Sequence, residues 1–184
     1  MAQLSIFTDS NLPEAHEHQI RSFIRLHWHD EYQYNLDGPL VPPERHPTHI
    51  VMAERHALFS HARVIWVPFE HGGQTWRLYC LGDVFTYPAF RQRGFGATVT
   101  AAATGRIRDD ADADIAILFC NPDNADFYAR HGWFAAPDLH ASKGFGEDRD
   151  AQEGLPMLLL LSERAQRLRP DQSGQTWELP GYGW

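Results

Sequence analysis

Apolar positions in residues 13–28 recur at three- and four-residue spacing, with Ile20, Phe23, Ile24 and His27 on one face, which predicts a helix. Pro13 near its first position and Glu14 in its first turn mark the start. The period changes at Thr48: THIVMAE and ALFSHARVIWVPF read as two strands separated by a short turn at residues 54–56. HGGQ, residues 71–74, is a second hairpin-type turn that leads into the apolar segment LYCLGDVFTYP. An alanine-rich helix follows in ATVTAAATGRI, and then a short continuous apolar strand, DIAILFC, begins near Asp114. The middle of NPDNADFYARHGW reads as a helix ended by Gly132 in the C′ role. Residues 135–153 are expected to be a loop, LPMLLLLS the final strand, and SGQTWELPGYGW a polar tail. Between the first helix and the first strand, HDEYQYNLDGPLVPPERHP is long for a loop in a compact domain, so it is either mobile or functional.

This order of elements predicts an α/β chain with a mixed sheet and helices on both faces. No internal repeat or linker interrupts it, so residues 1–184 are expected to be one domain, with 170–184 a docked tail. Three aromatics in the tail, Trp177, Tyr182 and Trp184, argue for docking, along a cleft or at a homodimer interface, over fraying.

Composition narrows the partners. With 43% hydrophobic and 12% aromatic residues there is material for a sizeable core. Sixteen basic against 24 acidic residues give a net charge of −8, a poor footprint for nucleic acid and a favourable field for a cationic ligand. The start, MAQLSIFTDSNLPEAHEH, lacks a basic and then apolar leader, and no apolar run is long enough to span a bilayer. The expectation is a cytoplasmic protein without membrane partners. Cys80 and Cys120 lie in apolar strand-like runs and read as small buried hydrophobes. The 11 histidines include the pairs His16/His18 and His27/His29, but no third or fourth ligand stands at metal-binding spacing, so no metal is expected.

RQRGFG, residues 91–96, lies between a strand and a helix. Its glycines let backbone N–H groups approach a ligand, and a helix N-terminus favours negative charge. A tight strand-to-helix turn in any α/β protein would carry the same glycines. A nucleotide P-loop would need Lys after Gly96, where Ala97 and Thr98 stand. A dinucleotide fingerprint would need a third glycine and an acid at the end of the next strand, which ends instead at Phe119, Cys120 and Asn121. What remains is R-x-x-G-x-G, a helix, a strand, then Asn121 and Tyr128 followed by A-R-H-G-W. This combination resembles the GNAT superfamily of acyl-CoA-dependent N-acyltransferases, over residues 78–133, with the alanine of the second motif shifted to Ala125.

That resemblance implies a GNAT-type fold in which the strands flanking the helix splay apart and acyl-CoA, here acetyl-CoA as cosubstrate, fills the gap. Val84, Phe85 and Thr86 would pair with its pantetheine. Arg91, Gln92, Arg93, Gly94, Phe95, Gly96 and Ala97 would hold its pyrophosphate, with Asn121 near the transfer point. An amine would attack the thioester directly, and Tyr128 would protonate the departing thiolate. Asp83, a carboxylate inside an apolar strand, is the candidate base or substrate ligand; a backbone-capped bulge and a water-relayed proton path are the alternatives.

Within the superfamily the chain is similar to the aminoglycoside 2′-N-acetyltransferases, through SHARVI at residues 60–65, the Gly132–Trp133 pair, an acidic run before the last strand and a terminal tryptophan. The similarity implies that Asp37, Asp83, Asn121, Glu153 and the Trp184 carboxylate surround a small polycationic amine. The family's strand carries Glu then Gly where this one has Gly82 then Asp83, which shifts the carboxylate by one residue. Other amines (an amino acid, a polyamine, a peptide N-terminus) and a non-catalytic acyl-CoA-binding module are the alternatives.

Overall fold

The structure, a computed structural model, describes residues 1–28, 41–168 and 176–181. Its chain forms two units, one of Met1–Ile65 with Gly82–Thr104 and one of Trp66–Leu81 with Gly105–Tyr182. Strands β3 (Ala57–His71) and β4 (Gln74–Thr86) and helix α2 (Phe95–Arg108) contribute residues to both.

In the first unit β1 (Gln3–Thr8) pairs antiparallel with β2 (Thr48–Glu54), from Gln3↔Ala53 to Thr8↔Thr48. β2 pairs antiparallel with β3, with a register shift between Met52 and Ala53. Helix α1 (Glu14–His27) buries Ile20, Phe23 and Ile24 against Val51, Ala53, Leu58 and Phe85. Phe23 and Phe85 stack with ring centroids 3.9 Å apart, and the Tyr87 hydroxyl donates to the Gln19 carbonyl at 2.7 Å, so the helix grips the end of β4. His27 is exposed, its ring tilted against Phe23 with centroids 4.2 Å apart, while His16 takes the buried place at the other end of the stripe. Pro13 sits at the N-cap, one residue outside the helix. β1 was not apparent in the sequence because it leaves Leu4 and Ile6 exposed, so its apolar residues do not report a core face.

In the second unit β4 pairs parallel with β5 (Ile115–Cys120) at Leu78↔Ile115, Tyr79↔Ala116 and Cys80↔Ile117. β5 pairs antiparallel with β9 (Leu155–Leu160), which also pairs with the short β6 (Phe134–Ala135). This parallel pair among antiparallel ones makes the sheet mixed, as expected. The segment 135–153 is not merely a loop: it holds β7 (Ala141–Phe145) and β8 (Asp148–Ala151), antiparallel to each other, with β10 (Trp177–Pro180) parallel to β7 on the other edge. The polar hairpin sequences ASKGF and DRDA carry no apolar alternation to announce them. Arg149 supplies what side-chain burial does not, donating to Ser142 Oγ at 3.0 Å and to the carbonyls of Gly144 and Leu179 at 3.2 and 2.6 Å. Trp177 of the tail is buried against Phe69 and His71.

Candidate functional site

The end of β4 departs from regular strand geometry at Asp83, whose φ of 48° lies in the left-handed region. A non-glycine residue pays about 1–2 kcal/mol for that conformation, and aspartate is among the types that tolerate it. Neighbouring side chains hold it there. Arg63 Nη1 lies 2.9 Å from Asp83 Oδ2 in an ion pair whose side chains are 2% and 7% exposed, and His61 Nδ1 lies 3.0 Å from the Asp83 carbonyl. Next along β4, Ser60 Oγ donates to the Phe85 carbonyl at 2.7 Å and the Tyr87 amide donates to the Phe59 carbonyl at 3.0 Å. Backbone groups of alternate residues point to opposite edges of a strand, so Val84 and Thr86 direct theirs away from β3. The parallel ladder with β5 ends at Cys80↔Ile117, whereas β4 continues to Thr86.

After a 3-10 turn at Pro88–Phe90 the chain reaches Arg91, Gln92, Arg93 and Gly94, all exposed, and then the first turn of α2. Gln92 at φ 59° and Gly94 at φ 79° are both left-handed, a conformation that curls successive amides toward one concave face. Glycine at 94 answers to that backbone angle and not to crowding, since nothing lies within 4 Å of where its Cβ would be. The Gly94 carbonyl accepts the Thr98 amide at 3.0 Å, and the amides of Phe95, Gly96 and Ala97 belong to the first helical turn, where no intrahelical acceptor exists. Aromatic packing fixes the loop: Phe90 and Phe95 lie 4.2 and 5.3 Å from Phe59, Arg93 lies over the Phe95 ring, and Arg91 Nε donates to the Thr86 carbonyl at 3.1 Å. The helix starts at Phe95, two residues before the alanine-rich run, because Gly94 closes the preceding turn. Exposed amides, a helix N-terminus and two guanidinium groups fit a pyrophosphate.

The remaining sequence candidates lie in the second unit. Asn121 is exposed, and its Oδ1 caps the turn after β5 by accepting the Asp123 amide at 3.0 Å. Tyr128 lies on the short helix α3 (Ala125–Ala129) and is buried; that burial, with Cys120 adding to it, pushes its phenol well above the ordinary range, so it stays protonated. Burial likewise pushes the Cys120 thiol up. The chain turns out of α3, whose C-cap is Arg130, through Gly132 at φ 88°, which stands one residue beyond the C′ place expected from the sequence; its amide donates to the Ala129 carbonyl at 2.9 Å. Glu153 is exposed in the turn between β8 and β9. Asp37 and Trp184 lie outside the described residues.

The partners of Asp83 were not apparent in the sequence. His49 and His61 are buried, and His61 and Arg63 stand two residues apart on one face of a largely apolar strand. That period-two polar pair was the available signal. Among the described residues no group of three or more His, Cys, Asp or Glu is placed to hold a metal ion, and no helix is long and apolar enough to cross a membrane.

No protein-family model and no curated protein matches the chain. Solved structures do. Escherichia coli ElaA aligns at a TM-score of 0.61 over 86% of this chain and 99% of that one, with 13% identity. An acyl-CoA N-acyltransferase from Pseudomonas aeruginosa aligns at 0.59, 17% identical, over 86% of this chain and 99% of that one. The GNAT-family N-acetyltransferase YhbS from Escherichia coli, in complex with CoA, aligns at 0.58 with 15% identity over 100% of this chain and 91% of that one. The chain has the GNAT fold. Identities this low carry the architecture and leave substrates to the chemistry of the site. The narrower aminoglycoside likeness finds no counterpart among these structures.

Proposed function

We propose that this protein is an acyl-CoA-dependent N-acyltransferase that moves an acetyl group from acetyl-CoA to a primary amine of a small cationic molecule. The carrying observation is the loop of residues 91–97, exposed over 91–94 and with left-handed Gln92 and Gly94, set after β4 and its 3-10 turn at the head of α2. Its amides and the guanidinium groups of Arg91 and Arg93 bind the pyrophosphate, and the outward backbone groups of Val84 and Thr86 take the pantetheine. The complex of YhbS with CoA, in the same fold, supports this use of the architecture.

A bound acyl thioester supplies the electrophilic carbonyl and a thiolate leaving group. The amine nitrogen forms its bond to the carbonyl carbon as the carbon–sulfur bond breaks; Tyr128 gives its proton to the sulfur, and the proton lost by the amine returns through solvent. A phenol is protonated at neutral pH, as the donor role requires; burial raises it further and so makes that proton harder to release. Asp83, its carboxylate engaged by Arg63, suits the holding of β4 better than it suits accepting a proton, which favours the water-relayed path. The net charge of −8 favours a cationic acceptor, and an aminoglycoside-like polycation is the first to try, with the exposed Glu153 as one carboxylate for it.

A thiol-release screen with acetyl-CoA tests the reading, setting aminoglycosides beside amino acids, polyamines and peptide N-termini. Thiol release with a cationic amine is the expected result, and Tyr128→Phe should lower turnover about a hundredfold or more while acetyl-CoA affinity stays within about twofold. Bound CoA without thiol release from any amine would turn the reading toward a binding module. An unchanged rate in Tyr128→Phe would remove its acid role.

A further inference from the structure

A chain of polar groups in the first unit runs from the exposed Asp9 through buried His49 and His61, ends on β4 and has no part in the reaction described above. His49 Nε2 lies 3.3 Å from Asp9 Oδ1, His49 Nδ1 lies 3.0 Å from His61 Nε2, and His61 Nδ1 lies 3.0 Å from the Asp83 carbonyl oxygen. Hydrogen counting limits what such a chain can do. Its two ends, a carboxylate and a carbonyl, only accept, so three contacts need three hydrogens on the ring nitrogens, and two neutral imidazoles carry two. One contact therefore lacks its hydrogen unless the histidine pair holds an extra proton.

Burial decides which contact goes without. His61 is 0% exposed, and turning its lone pair toward the Asp83 carbonyl would leave two acceptors facing each other in the interior. At the other end the Asp9 side chain is 46% exposed, and it shares with His49 a pocket, also lined by Glu17, Arg21 and Arg63, where solvent can serve His49 Nε2. The neutral pair thus keeps both Nδ1 hydrogens pointing inward. A carbonyl oxygen takes up no proton, so the chain is no wire for the amine proton. What it passes to β4 is position.

We propose that His61 is a positioning residue for β4, its Nδ1–H holding the carbonyl of left-handed Asp83 and its tautomer locked by the Nδ1–H of His49, with Asp9 closing onto His49 only when the pair carries its extra proton. The inference rests on the reading of Val84–Thr86 as the strand that takes acyl-CoA. The charged groups around the pair are Asp9 after β1, Glu17 and Arg21 on α1, Arg63 on β3 and Asp83 on β4. Burial first, then Arg63, lowers His49 against the opposing pull of Asp9; burial and His49 lower His61 further. The pair accordingly takes its extra proton below the ordinary histidine range.

Imidazole nitrogen–proton correlation spectra of the intact protein at pH 8 test the tautomers without any ligand. His49 and His61 should both show Nδ1–H with an unprotonated Nε2, and a His61 protonated at Nε2 overturns the proposal. Acetyl-CoA titrations of two variants test the consequence: His61→Asn keeps a donor near the Nδ1 position and should bind within about twofold of the parent, whereas His61→Leu should bind about tenfold more weakly. Equal affinities in the two variants overturn the positioning role, and if His61→Leu fails to fold, the tautomer spectrum decides. Asp9→Asn supplies the missing hydrogen from its amide, so the pair should titrate at lower pH with the His61 tautomer unchanged; an unmoved titration removes Asp9 from the chain. Were the parent protein to bind no acetyl-CoA, the acyl-CoA reading would fall, while the tautomer result would still judge the hold on β4.

Discussion

At the scale of single residues, Asp114 shows how a buried carboxylate just before the apolar strand β5 is retained. It accepts from the Arg77 amide at 3.0 Å, Ser162 Oγ at 2.6 Å and Arg164 Nε at 2.7 Å. Burial pushes its carboxyl up, but the bonds from Arg164, Ser162 and Arg77 together outweigh that and bring it from 3.8 down to about 2. Between those two values the unfolded chain binds the proton that the folded one refuses. The contribution of Asp114 to stability is therefore complete above the ordinary carboxylate value and is lost as the pH falls toward 2. Urea unfolding of Asp114→Asn should show a lower midpoint than the parent at pH 7 and a shallower decline between pH 4 and pH 2. Parallel declines in the two proteins would show that the bonds are not linked to folding. Asp83 was legible from sequence as a costly charge in an apolar strand. Its partner Arg63 was not, because which side chains meet across β3 and β4 depends on register, and register is a property of the folded sheet.

Among elements, those that bury apolar side chains were legible: α1 through its one apolar face, and β2, β3, β5 and β9 through near-continuous apolar runs buried on both faces. The small sheet of β7, β8 and β10 was not, since its cohesion comes from backbone pairing and from Arg149, which bonds carbonyls on both β7 and β10. Arg149→Met keeps the stem and removes these charge-assisted bonds, so limited proteolysis should cut the tail several-fold faster, with a loss of about 2–3 kcal/mol in global stability. Unchanged cleavage would assign the docking of β10 to Trp177 and the backbone pairing with β7. The loop before α2 was legible for a different reason. Its glycines mark where the backbone turns sharply or approaches a ligand, and Gly94 does turn, at φ 79°; left-handed Gln92 at φ 59°, a non-glycine, carried no such signal.

For the whole molecule, the alternation of strands and helices sufficed for a mixed α/β fold, and the solved structures place that fold with the GNAT acyltransferases. The acceptor was much less legible, because it depends on scattered carboxylates whose meeting no local pattern records. The central claim is narrower: residues 91–97 hold the pyrophosphate of CoA. Calorimetric titration of the full chain with CoA, and in parallel with pantetheine, which lacks the nucleotide and pyrophosphate, addresses it most directly. CoA should bind one per chain and pantetheine at least about a hundredfold more weakly, reflecting the loss of several charge-assisted bonds. Equal affinity for the two, or no heat with CoA, would contradict the account.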